Sequence, residues 1–588
     1  MKRNHFLFSL IVVLSLTACI SINDEVETKA VPIFDIDLPL DNDEQPNNLE
    51  QYQIGTIEPI FRQGQEYIPY LSLEQYASLY DHRLIDGAKS VITNNGSVAT
   101  WQILKGDTLY FYSAISYWDK VVIKAGDISN VFKNNDDPTP RKALNYALST
   151  TANYEKIGED DYETYSFGDI SLTRLFFDSS YYYPLGFLDL TYSETSTIYH
   201  FYNYYGIFET RDVENFSEKE FLFENNLETV DTLMQANTHH NKIPVYLINY
   251  NANMFFYTMD NFYGLRKEKG ITSFKQFLKS KNVYNDLFST NDFLRGCAYY
   301  TALSLMDDGH TAVISINDTW GEADSGPMYV GQKTSNRGAE YRAIRDVRAN
   351  QNQYPNFIVE DGVRYSDSGK TAIIIFDGFS FGKDDEVFNP DGTIKEDAYL
   401  YDTYLRVARS LETIRNKGTV ENVVLDISLN GGGTLAIMMK LLAIISKDNV
   451  SNTHFFDDAA KYVYLYKGAV DTNLDNEYDA SDAYGNDFNF FVATSAMSYS
   501  AANAYAYYAK KDDIATIIGR KTGGGECAVS IHYLPNSQYV YHSSNLHIGF
   551  YNESEGKFYG NEAGVEPDIY FDDYGIYGNP NAIEDLIS

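Results

Sequence analysis

Four short segments of the chain carry side chains able to do chemistry. The first is Ser495-Ala496-Met497-Ser498-Tyr499-Ser500-Ala501-Ala502-Asn503, set between an apolar run and a stretch of small, helix-forming residues. A serine at the amino end of a helix lies in the positive end of its dipole, which stabilises an anion developing beside the hydroxyl. The same place suits an ordinary N-cap, so Ser500 reads both as a nucleophile and as a cap. The second is Asp426-Ile427-Ser428-Leu429-Asn430-Gly431-Gly432-Gly433, directly after an apolar run. Consecutive glycines let backbone N–H groups face a ligand without a Cβ in the way. A phosphate cradle would need a lysine where Thr434-Leu435 stand, which leaves an oxyanion hole or a plain tight turn. The third is Asp307-Asp308-Gly309-His310-Thr311, whose histidine is either a proton acceptor or a structural residue. The fourth, Gly560-Asn561-Glu562-Ala563-Gly564-Val565-Glu566-Pro567-Asp568, alone reads as a polar turn before a strand at Ile569–Phe571.

These segments must be positioned by the elements around them. Thr371–Phe376, Val420–Leu425, Phe488–Ala493 and Ile514–Ile518 are short apolar runs that predict buried strands. Between them, Leu400, Tyr404, Val407, Leu411 and Ile414 recur at helical spacing with Lys417-Gly418 as the stop, and Leu435–Ile445 and the run from Ala501 predict two more helices. Strands alternating with helices imply a parallel sheet with right-handed crossovers, an α/β unit over 370–588. Upstream, Phe293, Leu294, Cys297, Ala298, Thr301 and Leu305 form one helical stripe, and Gly309 is the expected stop before His310. That helical segment is assigned to 231–369. Residues 51–230 carry no catalytic motif. Ser72 and Gln75 predict a capping box, and Lys105-Gly106-Asp107 predicts the turn of a hairpin between Thr100–Leu104 and Thr108–Ser113. The region reads as a β-rich α+β accessory domain.

Taken together and in order, the segments resemble the tail-specific, or carboxy-terminal processing, serine peptidases. The resemblance rests on the Gly-rich turn after a strand, the serine-rich helix start, Ile518-Gly519-Arg520-Lys521-Thr522-Gly523-Gly524-Gly525, and Gly564-Val565-Glu566-Pro567-Asp568. It covers about 290–588 and is strongest from 420 to 570. It implies a Clp protease/crotonase-like catalytic domain of ββα repeats, with Ser500 as nucleophile and the N–H groups of Gly432 and Ala501 as the oxyanion hole. Many members use a lysine twenty-five residues after the serine, but here that position is Gly525. Asp-Gly-His-Thr instead resembles the branch that includes the tricorn core protease, which implies His310 as base and Glu562 completing the network. The sixty residues between Thr311 and Thr371 are short for a PDZ module. A non-catalytic ligand-binding lipoprotein on the same fold is the alternative, because the family's fold also serves a retinoid carrier.

The bulk numbers fit an exported globular protein. Of 588 residues, 44% are hydrophobic and 22% charged, which excludes a disordered chain. A net charge of −36 argues against a nucleic-acid partner, since phosphate binding requires clustered Lys and Arg. Lys2 and Arg3 precede an apolar stretch, Phe6 to Leu16, too short to span a bilayer. It ends in Leu16-Thr17-Ala18-Cys19, which resembles the lipobox of bacterial lipoproteins. By that resemblance residues 1–18 are a signal peptide, Cys19 is the acylated amino terminus, and the protein sits on the outer face of a bacterial membrane. Residues 19–50, rich in Asp and Glu, read as an acidic linker. Cys297 and Cys527 then remain, 230 positions apart, and make no disulfide framework. The expected partner is a peptide or protein substrate. No metal site and no cofactor are expected.

Overall fold

The structure is a computed structural model that describes residues 26–35, 53–95, 98–116, 120–125, 148–156, 163–166, 175–178, 180–192, 197–200, 207–210, 220–223, 226–229, 243–315, and 331–588 apart from 460, 474–476 and 536–537. Cys19 and the signal peptide lie outside the described residues.

The carboxy-terminal half is built on a seven-stranded sheet ordered Ile358–Glu360, Val363–Tyr365, Thr371–Ile375, Asn422–Asp426, Asn489–Thr494, Thr516–Gly519 and Ile569–Tyr570. From Thr371–Ile375 onward every neighbour is parallel. The strands read as continuous apolar runs because both faces are covered. Val423 and Leu425 pack with Leu411, Ile414, Leu441 and Tyr505 on one face, whereas Val424 packs with Ile344, Ile518 and Ile583 on the other. That alternation is the two-residue period of a strand. The expected helices are present as Thr403–Lys417, Leu435–Ile445 and Ala501–Lys511. Gly418 closes the first with φ 71°, a left-handed conformation that glycine adopts without a Cβ clash. Leu400 stands outside the stripe and is exposed.

A second, largely antiparallel sheet crosses the half-way point of the chain. Its long strand Gln538–Asn552 pairs with Ser451–Asp457, Cys527–Tyr533, Lys557–Gly560 and Ala312–Ser315. Leu148–Lys156 joins it through Tyr462–Val470, so residues from the expected accessory domain complete a sheet of the catalytic half. The helical segment likewise shares its core with the amino-terminal strands: Phe255, Tyr257 and Tyr299 lie in one cluster with Trp101, Tyr192 and Val540.

Three expectations from sequence need correction. Residues 26–35 are not linker. Val26–Thr28 pairs with Ile60–Arg62, Val31–Asp35 pairs with Gln53–Ile57 and Ile207–Thr210, and Val31 is wholly buried. The helix before His310 is Asp292–Ser304, and its stop comes earlier than Gly309, with Asp307 taking the left-handed φ of 45°. On that helix Phe293 and Leu294 face solvent, and the buried stripe begins at Arg295 to Ala298. The Ser72 capping box is formed, with Gln75 N–H donating to Ser72 Oγ at 3.1 Å and Ser72 N–H to Gln75 Oε1 at 3.0 Å. The hairpin is formed by Val98–Lys105 and Thr108–Ser116. Among the described residues no helix is long and apolar enough to cross a membrane.

Candidate active site

The parallel strands end where the two sheets meet, and the quoted segments gather there. Ser500 leads the helix Ala501–Lys511 at the carboxyl end of Asn489–Thr494, the Gly turn follows Asn422–Asp426, and His310 immediately precedes Ala312–Ser315. Carboxyl ends of parallel strands are where open α/β sheets place their ligand sites.

Ser500 has φ 57° and ψ −125°, a conformation that costs a non-glycine residue about 1–3 kcal/mol. It makes no side-chain capping bond, so the N-cap explanation of this serine does not hold. Its backbone is pinned from both sides, with Ser500 N–H donating to Gly524 O at 3.0 Å and Tyr499 N–H to Asn430 O at 3.2 Å. Ser498 and Ser495 are committed elsewhere. Ser498 Oγ donates to Ile427 O at 2.8 Å and accepts Ser495 N–H, while Ser495 Oγ donates to Ser428 O at 2.5 Å. Of the three competing serines, only Ser500 has a hydroxyl with no hydrogen bond among the described residues.

The Gly turn touches this serine. A Cβ on Gly432 would lie 2.8 Å from Ser500 Cβ, so only glycine fits at its φ of 116°. The expected oxyanion donor is nevertheless turned away, because Gly432 N–H donates to Asn430 Oδ1 at 2.8 Å. Asn followed by Gly-Gly favours this bond, since asparagine side chains bond their own backbone two residues on. Ala501 N–H, first in its helix beside Ser500, has no intrahelical acceptor.

His310 reaches the site through Tyr499. Their ring centroids are 4.8 Å apart, and Tyr499 Oη accepts Gly309 N–H at 3.0 Å while donating to Asp308 Oδ1 at 3.0 Å. Asp308 is buried and also accepts from His310 N–H, Thr311 Oγ and Ser543 Oγ. Burial raises its pKa, but these bonds outweigh burial and hold the carboxyl below its usual range. The Cys527 backbone hydrogen-bonds the His310 ring, whose Nδ1 is buried with no partner among the described residues. Burial, with Arg337 adding to it, pushes the imidazole pKa below its ordinary value against the pull of Asp308. Arg337 stacks on Tyr499 at 4.2 Å. Among the described residues no hydrogen bond joins His310 to Ser500.

The Glu562 carboxylate is held by the loop that follows Gly524. Its Oε2 accepts Gly525 N–H at 2.9 Å and Glu526 N–H at 3.1 Å, and Oε1 pairs with Lys333 Nζ at 3.1 Å. Those bonds hold the loop leading to Cys527, and no bond from Glu562 to His310 occurs among the described residues. Gly525 leaves no room for the lysine that many relatives carry, because a Cβ there would lie 2.6 Å from Tyr499 Cζ. Lys521 is on the surface with Glu566 at 2.8 Å. Sequence reasoning missed Asp308, Tyr499 and Arg337 as parts of this site. The first two stand beside His310 and Ser500 in the chain, whereas nothing in the polar helix Gln332–Gln353 marks Arg337.

Residues 392–571 match the model of peptidase family S41. Residues 392–571 therefore form a domain of the tail-specific serine peptidase family. No curated protein matches the chain. Among solved structures, a protein from Parabacteroides merdae ATCC 43184 is 17% identical over 58% of this chain and 97% of its own, with a TM-score of 0.39. Mature CPAF complexed with lactacystin is 13% identical over 58% and 97%, with a TM-score of 0.38. The tricorn protease is 8% identical over 85% of this chain and 59% of its own, with a TM-score of 0.30. Superpositions this loose carry no assignment of residues.

Proposed function

We propose that this peptidase is a lipid-anchored, extracytoplasmic endopeptidase in which Ser500 is the nucleophile and His310 the base. One observation carries the reading: Ser500 is held in a strained strand-to-helix turn with its hydroxyl uncommitted, while its neighbours Ser495 and Ser498 are bonded to backbone. A strained turn that presents a serine above a parallel sheet is a recurring way to expose a nucleophile. His310 accepts the Ser500 proton as Oγ attacks the scissile carbonyl, then donates it to the leaving amine; water repeats the sequence to release the acid. Ala501 N–H, at the positive end of its helix, stabilises the tetrahedral oxyanion. Gly432 N–H becomes a second donor only by exchanging Asn430 for that oxyanion.

In this reading Glu562 is a positioning residue. It fixes the loop Gly525-Glu526-Cys527, whose backbone supports the His310 ring. Asp308 is the carboxylate nearest in function to His310, because its charge favours the imidazolium formed during attack. The expected chemistry is internal cleavage of an unfolded protein substrate, read as fragments by mass spectrometry. His310 must be neutral to accept a proton, and its lowered pKa keeps it neutral below the ordinary histidine range. The acid limb of kcat/KM therefore lies below about pH 6.5. Arg337→Gln removes a positive charge and should move that limb upward. A limb above pH 7 in the unaltered enzyme, or one indifferent to Arg337→Gln, counts against His310 as base.

The anchor rests on Leu16-Thr17-Ala18-Cys19. Cys19→Ser should release the protein from membranes or leave its precursor uncleaved. Unchanged fractionation and processing would remove lipid attachment from the account.

A further inference from the structure

Behind the His310 loop lies a buried cluster that the peptidase reading leaves unused. Glu526, Cys527 and His547 present a carboxylate oxygen, a sulfur and a ring nitrogen that all lie within 4.8 Å of one another. Relative exposures of 3%, 1% and 8% exclude a chance surface grouping. His547 Nδ1 is 2.8 Å from Glu526 Oε1 and 3.6 Å from Cys527 Sγ. A tetrahedral zinc ion with Zn–S of about 2.3 Å and Zn–N of about 2.05 Å spans an S···N edge of roughly 3.6 Å, so this edge is already set.

We propose that Glu526, Cys527 and His547 form a binding site for a thiophilic divalent cation of the zinc class. In ligating form the carboxylate and thiolate together carry two negative charges, which balance the ion. Thiolate with imidazole selects zinc over hard cations such as calcium or magnesium, which prefer all-oxygen sites. The outer support is in place, because Glu526 Oε2 accepts Glu562 N–H at 2.7 Å and so aims Oε1 toward His547. The surroundings are acidic. Asp308, Glu562 and Glu268 act electrostatically on Cys527, and their carboxylates favour a cation among them.

Binding has a defined proton balance. The Cys527 thiol gives up its proton to solvent, and the proton of the His547–Glu526 hydrogen bond moves to Nε2 so that Nδ1 can coordinate. One proton leaves for each ion bound. The ion would tie the strand Gln538–Asn552 to the loop that Glu562 holds, so it should stabilise the fold whether or not the enzyme turns over.

The test uses the purified protein with Zn2+, and with Co2+ as a spectroscopic stand-in. The expected result is one ion per chain, a thiolate-to-cobalt charge-transfer band, and a melting midpoint that rises with added Zn2+. Cys527→Ser should abolish the band, and both it and His547→Gln should weaken Zn2+ binding by about 100-fold or more. Cys297→Ser should change neither. A cobalt spectrum without a thiolate band in the unaltered protein overturns the proposal without reliance on any variant. Loss of the band in Cys297→Ser rather than Cys527→Ser overturns it equally. None of these readouts involves peptide hydrolysis, so failure here is distinguishable from failure of the Ser500 assignment.

Discussion

Replacing Ser500 by alanine should lower kcat on the order of 10⁶-fold and leave the melting midpoint within a few degrees. The loss is large because a nucleophile and its base act as a unit, and what remains is the oxyanion donor and substrate binding. The small effect on stability follows from the geometry. Ser500 makes no capping bond that alanine would forfeit, and alanine is no more strained than serine at φ 57°. Ser500→Gly sharpens the point, since glycine adopts positive φ freely. It should be equally inactive yet no less stable than the parent, relief of about 1–3 kcal/mol of strain offsetting the flexibility it adds to the unfolded chain. Ser498→Ala should behave in the opposite way. It removes the hydroxyl that binds Ile427 O and caps Ser495 N–H in a wholly buried position, so it should cost stability while retaining measurable turnover.

The second large effect is expected at His310. His310→Ala should reduce kcat by a factor approaching that of Ser500→Ala, while Lys521→Ala should keep activity within about twofold. Lys521 forms a surface pair with Glu566, with side chains 47% and 68% exposed, and such pairs contribute about 0–1 kcal/mol. No lysine can take its place from the position used by many relatives, because Gly525 holds φ 85° and a Cβ there would run into the Tyr499 ring. A dead Lys521→Ala enzyme with an active His310→Ala enzyme would reverse the assignment of the base.

Much of this arrangement is readable from sequence, for identifiable reasons. Strands buried on both faces leave uninterrupted apolar runs, so Asn422–Asp426 and Asn489–Thr494 fall within a residue or two of where those runs place them. The helix Thr403–Lys417 announces both its periodicity and its Gly418 stop. What escaped is what depends on contacts distant in the chain. Val31–Asp35 looks like linker because it sits among acids and is short. It is ordered by strands at Gln53–Ile57 and Ile207–Thr210 that no local pattern links to it. Leu148–Lys156 joins a sheet more than three hundred residues away in sequence for the same reason. At the site, order along the chain brings Glu562 near the loop but not its orientation, which is set by two backbone N–H groups and Lys333. Gly432 shows a further limit: the glycine is where an oxyanion donor is needed, yet its N–H is taken by Asn430.

The most direct measurement of the central claim is fluorophosphonate labelling of the folded protein followed by peptide mapping, because only an activated serine reacts. The account predicts one adduct on the peptide containing Ser500, retained in Ser498→Ala and lost in both Ser500→Ala and His310→Ala. An adduct on Ser498 or Ser495, or a folded protein that takes no label at all, would contradict it.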